Sequence, residues 1–142
     1  MVWASHIIVS FPIQSFDGVA ALAQKHAGHF AGSTSDAKAF LNYASLRGGT
    51  PSGPKGGMFL WGWTGNHVDA RLFVNELLPF FRELLSGEID GGPSDDEHVV
   101  VIYEEEQSRC SRAFEIANAL GDRSNGCAVT EWGPLPFSWG LT

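Results

Sequence analysis

Residues 36–46 read Asp36-Ala37-Lys38-Ala39-Phe40-Leu41-Asn42-Tyr43-Ala44-Ser45-Leu46, and the fold of this 142-residue chain turns on them. Ala37, Phe40, Leu41 and Ala44 recur at the spacing of a short helix. Phe40, Asn42, Ala44 and Leu46, opposite Leu41 and Tyr43, alternate as a strand does. The connection that follows favours the strand. A turn-rich stretch, Gly48–Gly57, leads straight into a clear strand at Met58–Thr64, so a strand on its near side makes a long hairpin. A helix there instead makes the chain alternate strands and helices, giving an open two-layer or a three-layer α/β fold.

The flanking segments read more plainly. Ser5–Phe11 is a strand signal. A helix capped by Asp17 runs to about Phe30, with Val19, Leu22, Ala23, His26 and Phe30 on one face. Downstream of Thr64, Asn66 and Asp69 offer an N-terminal cap pattern. The helix they open is apolar at Val68, Leu72, Phe73, Leu77, Phe80, Phe81, Leu84 and Leu85, a stripe wide enough to lie on a sheet. Pro79 predicts a kink or a restart inside it. His98–Tyr103 is a β-branched strand. Ser108 predicts a short helix carrying Ala113, Phe114, Ala117 and Leu120 and ended by Gly121. Cys127–Trp132 is a last strand, and a Pro-broken aromatic tail follows.

Together these predict one α/β domain (α+β class) over residues 1–142. It is expected to be a two-layer sandwich with the ferredoxin-like split βαβ order and an added helix and strand. Length and an apolar content of 44% allow a core without staples. No run reaches the length of a membrane span, and no basic region precedes an apolar one at the N-terminus. Cys110 and Cys127 are the two cysteines. Without a disulfide framework or a C-x-x-C motif they are expected to be reduced thiols in a cytoplasmic protein. A helix start near Arg109 and Arg112 would lower the pKa of Cys110, but a core-facing Cys beside Ala113 and Phe114 is the stronger expectation.

Charge is distributed unevenly. Residues 1–75 hold three acids against five bases, whereas residues 76–142 hold thirteen acids against four bases. Eight of the sixteen acids fall in Glu88–Glu106, with no Lys or Arg among them. Such a stretch repels phosphate backbones and anionic membranes and attracts cations and basic protein faces. Calcium would need a D-x-D-x-D-G spacing that Asp90–Glu97 lacks. The acids divide into Asp95-Asp96-Glu97 before the strand and Glu104-Glu105-Glu106 after it, roughly 25 Å apart along an extended strand.

Motifs for chemistry are few. Gly48–Lys55 has the glycines of a phosphate-binding loop, but Pro54 and Gly56 break the required Gly-Lys-Ser/Thr, and a strand follows instead of a helix. Lys55, Gly56, Phe59 and Leu60 fit part of the pattern with which RNA-recognition motifs stack bases. Gly57 and Gly62 occupy two of the positions that need aromatics. Phe59, Trp61 and Trp63 are therefore expected on one strand face packed against helices. His26-x-x-His29 puts two imidazoles on one helical face without a third ligand nearby. No G-x-S-x-G elbow exists.

These features predict an acidic, non-enzymatic binding protein, without cofactor, that inhibits or neutralises a basic protein. A nuclease or another nucleic-acid-handling protein is the expected target, engaged in the physical manner of immunity proteins. Its contacts are expected from Asp95, Asp96, Glu97, Glu104, Glu105 and Glu106, with Trp139 from the aromatic tail. The alternatives are a metal-assisted hydrolase using His26, His29 and nearby carboxylates, and a single-strand nucleic-acid binder using Phe59, Trp61 and Trp63.

Overall fold

The computed structural model describes residues 4–30, 35–46, 57–66, 69–105 and 110–135. Among the described residues the chain forms three α-helices and a five-stranded antiparallel sheet. In order they are β1 (Ala4–Ile13), α1 (Phe16–His29), α2 (Ser35–Ser45), β2 (Gly57–Asn66), α3 (Ala70–Leu84), β3 (Val99–Glu105), β4 (Cys110–Asn118) and β5 (Cys127–Leu135). The strands lie side by side as β2-β1-β3-β4-β5. β1 pairs antiparallel with β2 from Ala4↔Asn66 to Ile13↔Gly57, and with β3 from Ser5↔Glu105 to Ser10↔Val100. β2 and β3 therefore run parallel with β1 between them. α3 makes the connection, as a crossover between parallel strands requires.

Residues 36–45 are helical, which corrects the expected strand. Ala37, Phe40, Leu41 and Ala44 are all essentially buried, the i, i+3, i+4, i+7 set of one helix face. A strand would have put Leu41 on the face opposite Phe40 and Ala44. Phe40 decides the matter by packing. Its ring meets Phe59, Trp61, Phe73, Phe80 and Phe81, with centroids 5.3–6.3 Å away, tying α2 and α3 to β2. The strand partner expected for Met58–Thr64 is instead β1.

Residues 110–118 are corrected in the opposite sense, from helix to strand. Phe114, Ile116 and Asn118 are buried at a period of two, and β4 is paired on both sides, by β3 and by β5. Two ladders outweigh the helical spacing of Ala113, Phe114 and Ala117. β4 ends at Asn118, and Gly121 closes the 3-10 turn Ala119–Gly121 that follows it. With Leu120 and Gly121 at φ +58° and +68°, it forms part of the turn into β5. The ferredoxin-like order needs a strand at 36–46 and a helix at 110–118, so the chain does not follow it.

The caps are local. Ser15 Oγ accepts from Asp17 N–H at 3.3 Å and Asp69 Oδ1 from Leu72 N–H at 3.0 Å, so Ser15 and Asp69 are the caps, with Asp17 in the first turn of α1. α3 runs unbroken through Pro79, which lies on its exposed side. Along β1 burial alternates strictly, with Ile7, Val9, Phe11 and Ile13 in the core. They meet Val19, Leu22 and Ala23 of α1 and Phe73, Leu77, Phe80 and Leu84 of α3 in a single apolar cluster. Among the described residues no helix is long and apolar enough to cross a membrane.

Candidate functional site

The antiparallel register brings the end of β1, the start of β3, the end of β4 and the start of β5 to one end of the sheet. The α3–β3 loop, residues 85–98, crosses that end and is held down from several sides. Gln14 N–H donates to Gly91 O at 2.7 Å. Gly91 has φ +76°, and a Cβ there would come within 2.7 Å of the Ser15 backbone nitrogen, so this close approach requires glycine. Asn118 Nδ2 donates to Leu85 O at 3.0 Å and to Asp95 O at 3.4 Å. Arg123, from the β4–β5 turn, donates to Pro93 O at 2.9 Å and pairs with Asp95 at 2.8 Å. Ser94 N–H donates to Glu97 Oε1 at 2.8 Å, and the Ser94 hydroxyl lies between Glu97 and Asp96.

The loop is thus a built structure that displays carboxylates. Glu88, Asp90, Asp95 and Asp96 are exposed and Glu97 is partly so. Asp122, exposed on the opposing β4–β5 turn, joins them. The Ser124 backbone N–H and then its hydroxyl hold the Asp122 carboxyl below its ordinary value. A Cβ on Gly121 would lie 4.0 Å from that of Asp96, so the two loops are neighbours.

The second acidic cluster is arranged differently. Glu104 is 2% exposed, with Ser111 Oγ donating to it at 3.4 Å. It belongs to a row across four strands on the sheet face away from the core cluster: Thr64, His6, Glu104 and Ser111 are register partners in turn. His6 Nδ1 lies 2.9 Å from Thr64 Oγ1. Glu105, next along β3, points to the opposite face, because successive strand residues alternate. Glu104 and Glu105 therefore do not share a surface. Glu106 and Trp139 lie outside the described residues, as do Ser108 and most of Gly48–Gly57.

Glu105 opens onto a cleft of about 320 Å³ at the N-terminal end of α3, lined also by Arg71, Tyr103, Arg112 and Phe114. Arg71 grips Glu131 with Nε and Nη2 at 3.1–3.2 Å, and Arg112 Nη1 donates to the same carboxylate at 3.1 Å. Arg71 first, with Arg112, holds the Glu131 carboxyl below its ordinary value. Tyr103 Oη sits 3.5 Å from Ser5 Oγ and 3.5 Å from Glu105 Oε2, and burial pushes its phenol up. None of Arg71, Tyr103, Arg112 and Glu131 was singled out as functional by sequence reasoning. Had 110–118 been read as a strand, the parity of Arg112 with Phe114 would have placed it on the core side, opposite Tyr103.

His26 and His29 are not brought together around a third ligand. His26 Nε2 contacts Glu83 Oε1 at 3.0 Å, and Lys25 Nζ reaches Glu83 Oε2 at 2.9 Å. His29 is exposed, and with His26 and Glu76 it lines a pocket of about 270 Å³. Among the described residues no three His, Cys, Asp or Glu side chains are grouped to hold a metal. Phe59 and Trp61 are buried, as expected for strand aromatics under helices, while Trp63 is 42% exposed. Cys110 opens β4, where a helix start was expected. Cys127 is free, and burial pushes its thiol up.

Comparison of the chain with protein-family models, with curated proteins and with solved structures finds no match.

Proposed function

We propose that this protein is a non-enzymatic acidic binding domain that engages and neutralises a basic protein. The observation carrying this reading is the convergence, at one end of the sheet, of Glu88, Asp90, Asp95, Asp96, Glu97 and Asp122 from two loops pinned to each other by Arg123 and Asn118. Fixed carboxylates on a rigid platform attract a cationic surface over a long range and lose little side-chain entropy on contact. A protein face that normally meets phosphate, such as that of a nuclease, has the complementary charge. The recognition surface in this reading is the loop end, with Asp95, Asp96 and Glu97 at its centre. Glu104, being buried, supports the sheet beneath. The domain is a two-layer sandwich, helices over one face of the sheet, acting in a reducing cytoplasm, in keeping with the free Cys127 thiol.

The test is affinity purification from the source cells with mass spectrometry, followed by association kinetics. A basic protein is expected, with association that slows as salt rises. The triple variant Glu88→Gln, Asp90→Asn, Asp96→Asn keeps the Asp95–Arg123 pair and is expected to slow association about tenfold or more. Failure to retrieve a basic partner, or kinetics indifferent to salt and to the triple variant, overturns the reading.

A further inference from the structure

The two edges of the sheet are built differently. β5 carries Glu131, held by Arg71 and Arg112, and Pro134. A charge and a missing backbone donor keep an edge from pairing with a further strand. β2, at the other edge, has neither. Its ten residues, Gly57–Asn66, include no Asp, Glu, Lys, Arg or Pro. Among the described residues β1 is its one neighbour. The backbone N–H and C=O groups of alternate β2 residues therefore face outward along roughly 33 Å of strand. Apolar side chains flank that row on both faces of the sheet. Met58 and Leu60, 57% and 61% exposed, share the open face with Pro12 and Ser10, their partners on β1. On the helix face the exposed Trp63 stacks at 6.3 Å on the buried Trp61.

Such an edge accepts an extended, uncharged strand. We infer that its occupant is β2 of a second copy of this chain, paired antiparallel across a two-fold axis, so that two five-stranded sheets become one of ten strands. Hydrogen bonding suits this arrangement, because each copy supplies the donors and acceptors that the other lacks, over the same length. Charge selects the place. The chain carries a formal net charge of -7, so two copies repel over much of their surface. At this edge they do not. β1 and β2 hold no Asp, Glu, Lys or Arg, and α2, which packs on β2 through Phe40 and Tyr43, holds one Asp and one Lys. A symmetric pair sets β2 residues opposite β2 residues, and with no charge in the strand no register is penalised by like charges. Charge also selects the antiparallel sense. The acidic loop lies at the Gly57 end of β2, where Gly57 partners Ile13 and the adjacent Gln14 binds Gly91. Antiparallel pairing sends the two acidic loops to opposite ends of the shared edge, roughly 33 Å apart, well beyond the Debye length of about 8 Å. An uncharged edge offers a basic protein no attraction, so this surface and the acidic loops select different partners and are tested separately.

The experiment is sedimentation velocity of the full chain over about 1–500 µM, with amide hydrogen exchange at both ends of that range. A species of twice the chain mass is expected to form with a Kd below about 100 µM. Alternate amides of β2 are expected to gain protection as it forms. Leu60→Lys puts an ammonium at the pairing edge of each copy and is expected to weaken the dimer about tenfold or more. Met58→Lys, also at an exposed site, is the second variant should Leu60→Lys disturb the fold. Trp132→Lys, at a similarly exposed site on the open face of β5, is expected to leave the dimer unchanged. A chain that stays monomeric throughout, β2 amides protected equally at every concentration, or a dimer indifferent to both lysine variants of β2 overturns the inference. So does a dimer lost equally with Trp132→Lys, which would mean that open sheet faces stack and edges do not pair.

Discussion

Glu83 is a carboxylate shared by two bases on a neighbouring helix. The hydrogen bond and charge of Lys25, with a lesser contribution from His26, hold its carboxyl below the ordinary value of 4.5. The sign of the linkage follows. A carboxyl with a depressed folded-state pKa stabilises the fold at every pH above its unfolded value, and that stabilisation disappears as pH falls through the folded value. Glu131, lowered by Arg71 and Arg112, behaves alike. Thermal unfolding followed from neutral pH to below 4.5 should therefore show stability falling on the acid side, and Glu83→Gln should flatten that fall by lowering stability at neutral pH while changing little at the acid end. A Glu83→Gln variant whose acid limb matches that of the wild type would show that the contact is not made in solution. Such pairs are invisible in sequence, because Lys25 and Glu83 are 58 residues apart and only the packing of α1 against α3 joins them.

At the scale of elements, α2 and β4 show what governs an ambiguous segment. Both segments carry apolar residues at spacings that two templates can fit. In α2 the aromatic at Phe40 finds five rings at one point above the sheet, and only a helix presents Ala37, Leu41 and Ala44 on that same side. In β4 pairing on both edges sets the conformation whatever the local spacing. The elements read correctly from sequence, β1, α1, β2, α3, β3 and β5, are those whose periodicity and boundary residues agree. The assignment of α2 has a sign test at its exposed Asn42. Asn42→Ala should raise stability by about 0.5 kcal/mol in a helix, whereas in a strand Ala is disfavoured. Urea denaturation with an unchanged slope decides it, and a loss of stability would speak for the strand.

Over the whole molecule, a single core joins the helices to the sheet, and Phe40 is its aromatic hub. Phe40→Ala should cost about 3–5 kcal/mol, a large share of the roughly 5–15 kcal/mol that a domain possesses. Equilibrium urea unfolding measures this, and a loss below about 1 kcal/mol would mean that the cluster repacks around the gap. Charge is arranged on the same scale. Acids that look continuous in the chain from Glu88 to Glu106 are divided by the fold into an exposed platform at one end of the sheet, a buried Glu104 and a cleft-facing Glu105. The sequence alone determined the acidic bias, the mixed α+β class, the capped helices and the apolar strands, because composition, caps and periodicity are local properties of the chain. Only the tertiary structure decided that 36–45 is helical, that 110–118 is a strand, and that Arg112 and Glu105 face one cleft. Those outcomes depend on ladders and ring contacts between residues far apart in sequence, and their energies exceed the small local preferences that spacing records.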